Sequence, residues 1–125
     1  MNLIENKERI FSQVAQAMET ANRTDQVNVI AVTKYVGIDQ AKDLVDTGVC
    51  HIGENRVDKF LEKYQALKDE GLTWHLIGSL QRRKVKEVIN YVDYFHALDS
   101  MKLAQEIQKR ASHPIKCFIQ VNISG

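Results

Sequence analysis

Apolar residues early in the chain recur at intervals of mostly three and four: Leu3, Ile4, Ile10, Phe11, Val14, Ala17, Met18 and Ala21. That spacing gathers them on one face of a 3.6-residue turn and predicts an amphipathic helix. Asn22 to Gln26 is a polar break, and Val27 to Val32 (VNVIAV) is a β-branched run that predicts a strand. From there the period alternates. A helical pattern carries Ala41, Leu44 and Val45, with Asp39 placed to cap it and Gly48 to stop it. Val49 to Ile52 predicts a second strand, after which Gly53 turns into a helix bearing Val57, Phe60, Leu61, Tyr64 and Leu67, ended by Gly71. Thr73 to Ile77 predicts a third strand, and Gly78-Ser79 leads to a helix with Val85, Val88 and Ile89. Tyr94 to Leu98 is a fourth strand. Asp99-Ser100 opens a helix with Met101, Ala104 and Ile107, whose C-terminal end suits Lys109-Arg110, and Ile115 to Val121 is a fifth strand.

The order is a helix, then β-α four times, then β. Strands alternating with helices pair in parallel through right-handed crossovers. Two architectures satisfy this pattern: an open doubly wound sheet, or part of a (β/α)8 barrel. A whole barrel takes roughly 250 residues, so on the barrel reading a 125-residue chain holds five of the eight strands and is expected to be truncated after the fifth. One domain, residues 1–125, accommodates everything.

Composition narrows the function classes. Hydrophobic content of 44% and charged content of 26% suit a soluble globular domain. A net charge of +1 lacks the basic excess that nucleic acid or a membrane surface calls for. No apolar run approaches the roughly 18 residues of a spanning helix, and the N-terminus has no signal-peptide core. The two cysteines, Cys50 and Cys117, form no CxxC motif and are expected to be buried free thiols in strands. A cytoplasmic monomer without nucleic-acid or membrane contacts is the expectation.

Candidate chemistry gathers at strand ends, where parallel α/β folds bind ligands. Lys34 follows Val29-Ile30-Ala31-Val32, and period-two alternation puts Ile30, Val32 and Lys34 on one side. An ammonium pressed into an apolar interior loses hydration, and the neutral amine that results is nucleophilic and suited to condense with an aldehyde. The plainer alternative is a strand-end lysine that snorkels to water. Gly53-Glu54-Asn55 closes the second strand, with backbone N–H groups and the Asn55 amide facing any anion above the sheet, or serves as an ordinary glycine turn. His75 sits among apolar residues on the third strand, a setting usual for a hydrogen-bonded core histidine. His51, His96 and His113 lie on other elements without ligand spacing, so no metal site is expected. Arg82, Arg83, Lys84 and Lys86 form a basic cluster at a helix start, best read as a solvated face; an RNA- or protein-binding module using it is the competing reading.

Four stretches change the picture when taken in order: Ala31 to Lys34, Ile52 to Asn55, His75 to Gln81, and Gln120 to Gly125. Together they resemble the successive strand-end motifs of the pyridoxal 5'-phosphate (PLP) homeostasis proteins, a family similar in fold to the N-terminal barrel of alanine racemase. The resemblance covers about Val27 to Gly125. It implies a TIM (β/α)8-type barrel that binds PLP through a Schiff base, without demonstrated turnover, and buffers the cofactor. On that resemblance Lys34 matches the imine lysine, Asn55 a pocket asparagine, and His75 and Gly78 the third-strand motif near the pocket floor; Asn122 and Ser124 fall in the fifth-strand motif. The family's phosphate cup comes from later loops than these. A PLP-dependent amino-acid racemase is the enzymatic alternative, but Tyr35-Val36-Gly37 matches the racemase pattern only loosely, and an acid-base pair about a substrate carbon cannot be assembled from these residues.

Overall fold

A computed structural model describes residues 3–121. Helix α1 (Leu3–Thr20) is followed by β1 (Ile30–Val32), α2 (Ile38–Asp46), β2 (His51–Glu54), α3 (Val57–Leu67), β3 (Thr73–Leu76), α4 (Val85–Val88), β4 (Tyr94–Leu98), α5 (Met101–Arg110) and β5 (Lys116–Ile119). The five strands form one parallel sheet in the order β1-β2-β3-β4-β5. This order decides between the two architectures left open by the sequence pattern. A doubly wound sheet reverses direction at a switch point, whereas five consecutive neighbours wind one way and keep their crossover helices on one face. The winding is that of a (β/α)8 barrel.

The two sheet faces therefore differ. Ile52, Trp74, Leu76 and Phe95 point to the helices and join Phe60, Leu67, Val85, Val88, Leu103 and Ile107 in the buried core. Phe60 and Tyr64 of α3 meet the Trp74 ring edge-on at 5.5 and 5.3 Å, a geometry aromatic quadrupoles favour. The opposite face, which would be the interior of a barrel, carries Ile30, Val32, His51, Gly53, His75, Tyr94, His96 and Phe118.

Local chemistry sets the element ends. Gly48 (φ 101°) and Gly71 (φ 69°) adopt the left-handed backbone that lets α2 and the 3-10 turn after α3 stop. Ser100 caps α5, its hydroxyl accepting a hydrogen bond from the Leu103 amide. Three expectations are corrected. Gly37, not Asp39, occupies the cap of α2, with Asp39 in the first turn, where its charge still favours the helix dipole. Gly53 is a strand residue, and β2 runs on to Glu54 before α3 begins at Val57. Both cysteines are exposed: Cys50 precedes β2 at the sheet rim, and Cys117 lies on the end strand β5, whose residues are all exposed.

Candidate functional site

The carboxyl ends of β1, β2 and β3 bring Lys34, Asn55 and Gly78 to one rim of the sheet. Lys34 lies in the turn after β1, where the Val36 amide donates to the Thr33 carbonyl (3.2 Å). Its Nζ stands 5.0 Å from the centroid of the Tyr35 ring, which is 89% exposed. Among the described residues no carboxylate pairs with this amine. Lys34 is exposed, so the desolvation expected of it from sequence is not present. Among the described residues β1 pairs on one side only, with β2, and neighbouring Val32 is itself 52% exposed.

Asn55, half-buried, is set by Gly78. A Cβ on Gly78 would lie 2.3 Å from the Asn55 carbonyl oxygen and 2.9 Å from its Cβ, distances that real atoms do not tolerate. The glycine is thus what lets the β3 end close against the β2 end. Gly53 plays a milder version of the part, with a Cβ there 3.1 Å from Ile30 Cγ2. Asn55, Arg56, Ser79, Gln81 and Lys84 line a cleft above these strands. Arg82 and Arg83 are exposed on a 3-10 turn, and Lys84 lies 3.7 Å from Glu87, as a solvated face would have it.

Beneath the rim lies a cluster the sequence reading missed. Glu54 and Lys63 are fully buried, and Lys63 Nζ donates to Glu54 Oε2 at 2.6 Å and to the Thr33 carbonyl at 3.0 Å. The Thr33 hydroxyl donates to the same carboxylate oxygen at 2.5 Å. Among the described residues Glu54 Oε1 is buried without a hydrogen-bond partner. The pattern contained a signal: Lys63 falls at the phase of Phe60 and Leu67 on α3, and Glu54 shares the helix-facing parity of Ile52.

His75 does not stand alone on its strand. Its Nε2 lies 3.0 Å from His51 Nδ1 and its Nδ1 lies 2.9 Å from His96 Nε2. His51 sits one interior step below His75 and His96 one step above it, so the three imidazoles climb diagonally across β2, β3 and β4. Tyr94 stacks on His75 at 4.6 Å, and Phe118 covers His96 at 4.8 Å. Burial, followed by the like charges of His96 and His51, pushes the His75 pKa down to about 4, and burial lowers that of His96. His75 is neutral near pH 7. Because its two nitrogens face opposite neighbours, the set is a hydrogen-bonded file and not a chelate; among the described residues no group of His, Cys, Asp or Glu could hold a metal ion. His113 is elsewhere, 3.2 Å from the Val92 carbonyl. Asn122 and Ser124 lie outside the described residues.

Fold and rim together define a singly wound α/β protein whose polar chemistry converges on the carboxyl ends of its strands. No family model matches the chain. It is, however, 39% identical over 129 aligned residues to the pyridoxal phosphate homeostasis protein of Aquifex aeolicus, covering 100% of this chain and 57% of that protein. The protein of the same name from Pasteurella multocida is 32% identical over 130 residues, covering 99% of this chain and 56% of the relative. Among solved structures, PipY of Synechococcus elongatus with PLP bound superposes with a TM-score of 0.72 at 28% identity, covering 86% of this chain and 47% of that one. The PLP-free PipY structure gives 0.74 at 33% identity, covering 79% and 48%. Along its whole length the chain is similar to pyridoxal phosphate homeostasis proteins, and it spans a little over half the length of these curated relatives. Among the described residues no helix is long and apolar enough to cross a membrane.

Proposed function

We propose that this chain contributes the lysine-bearing half of a cytoplasmic PLP carrier that holds the cofactor as a Schiff base on Lys34 and takes part in its homeostasis without turning over a substrate. The observation that carries the reading is the place of Lys34: the first residue beyond the Thr33 anchor, at the carboxyl end of β1, with its amine reachable from the rim and unpaired by any carboxylate among the described residues. The family's name and the PLP bound in the PipY structure support the choice of aldehyde. PLP supplies an electrophilic aldehyde. With PLP held at this rim, the Lys34 amine would be the group placed to condense with that aldehyde, the carbonyl oxygen leaving as water. Asn55, His75 and Gly78 fit the surroundings: Asn55 offers a neutral donor and acceptor, Gly78 holds it in place, and His75 is an uncharged imidazole on the floor. The basic residues of the neighbouring cleft, Arg56 and Lys84, are partly engaged by Asp58 and Glu87.

Borohydride reduction of the full-length protein with PLP, followed by peptide mass mapping, tests this reading. Label concentrated on Lys34 is expected; label spread evenly over surface lysines overturns it. The carrier role is checked separately by assaying racemisation on a panel of amino acids, where turnover above that of free PLP would replace the carrier with an enzyme.

A further inference from the structure

We infer that the buried Glu54–Lys63 pair is a positioning device that sets where and how the Lys34 amine leaves the sheet. The inference rests on Lys34 being the imine lysine, and it adds two residues that do not touch the cofactor. The geometry runs through the backbone. Lys63 Nζ holds the Thr33 carbonyl at 3.0 Å, and that carbonyl belongs to the peptide unit that ends at Lys34 N. A peptide unit is planar, so fixing its oxygen fixes the nitrogen and the Cα of Lys34 with it. The same carbonyl takes the Val36 amide at 3.2 Å, while the Thr33 amide donates to the Gly53 carbonyl at 3.1 Å. On the other strand, the Glu54 carbonyl accepts the Ile77 amide at 2.8 Å, one residue before Asn55. Thr33 and Glu54 thus tie down the last residues before both Lys34 and Asn55, and α3 supplies the ammonium that joins them.

Stability alone is a poor reason for such a pair. Two buried charges lose hydration that their mutual attraction barely returns, and well-packed apolar side chains of similar volume often do as well. Here one carboxylate oxygen, Oε1, is also buried without a partner among the described residues. What an apolar pair could not provide is a donor aimed at the Thr33 carbonyl. The cost of the charges is offset by a defined geometry one residue from the reactive amine.

The test compares the full-length protein with its Glu54→Gln/Lys63→Met double variant, which keeps volume, removes both charges and deletes the bond to the Thr33 carbonyl. Urea unfolding establishes that the variant is folded. The readouts are the share of borohydride label on Lys34 among all lysines and the rate at which the visible imine absorbance decays on dilution into PLP-free buffer. Loss of one anchoring hydrogen bond should lower that share and quicken the decay by about fivefold. A folded double variant that matches the unaltered protein in both readouts overturns the inference while leaving the Lys34 reading intact. Even labelling in the unaltered protein overturns both. Should the double variant not fold, Thr33→Val preserves the buried shape and removes only the hydroxyl that steadies Glu54. A loss of about twofold in the same readouts then supports the inference, and no change overturns it.

Discussion

The histidine file makes folding stability depend on pH in a window where few other groups titrate. His75 is 3% exposed, and its two nitrogens are occupied by His51 and His96. In the unfolded chain its pKa returns to 6.5, whereas in the fold it is about 4. Between those values the unfolded state binds a proton that the native state refuses, so stability is whole above pH 6.5 and drains as pH falls toward 4. The full displacement is worth about 3 kcal/mol, and the part lost between pH 6.5 and 5, before most carboxylates protonate, is about 2 kcal/mol. Urea unfolding followed by circular dichroism at half-unit steps from pH 7.5 to 5 reads this slope directly. The control is His75→Gln, which keeps an amide donor and acceptor but cannot titrate. At pH 7.5 the variant should be less stable by about 1–2 kcal/mol, from imperfect hydrogen bonding, yet its stability should fall less steeply toward pH 5, the remaining slope coming from His96, whose pKa burial also lowers. Equal slopes in the two proteins would refute the assignment of the acid sensitivity to His75.

Other substitutions probe separate parts of the molecule. Gly78→Ala forces a Cβ to within 2.3 Å of the Asn55 carbonyl oxygen unless the backbone yields; it should cost about 1–3 kcal/mol in urea unfolding and reduce PLP trapping on Lys34. Phe60→Ala empties a fully buried site against Trp74, with an expected loss of about 3–5 kcal/mol by the same measurement. Ser100→Ala removes the cap of α5, which should lower stability by about 1 kcal/mol. Arg82→Ala with Arg83→Ala alters only exposed side chains, so stability should change by less than about 0.5 kcal/mol and trapping on Lys34 not at all. Salt-sensitive RNA binding lost in that double variant would instead favour the basic-cluster reading.

The fold was legible because its signals are local. Periodicity switching from 3.6 to 2 marked each helix and strand, and Tyr94–Leu98 came out with its observed limits. The end strands were read too long, Val27 to Val32 against Ile30–Val32 and Ile115 to Val121 against Lys116–Ile119. β-branched residues announce extended chain, but a ladder needs a neighbour to pair with. Choosing between barrel and doubly wound windings took strand order, which no periodicity encodes. At the site, the motifs place Lys34 and Asn55 on the rim, yet the exposure of Lys34 depends on which strands flank β1, and among the described residues only β2 does. Lys63, and the burial of Glu54 against it, escape a reading in which charged residues are assumed to face water, although their phases on β2 and α3 point inward. The histidines were read one by one, and their meeting depends on the stagger of three strands.

The consecutive strand order also ranks the sheet in time. β2, β3 and β4 exchange main-chain hydrogen bonds on both sides, while β1 and β5 pair on one side only among the described residues. Opening an outer strand breaks one ladder and exposes little core, whereas freeing β3 means undoing the whole unit. Amide protons should therefore survive longest in Trp74–Leu76 and vanish first from Ile30–Val32 and Lys116–Ile119. Lys34, the proposed imine lysine, thus follows a strand that pairs on one side only among the described residues, with the Thr33 carbonyl just before it held from below by the buried Lys63 ammonium.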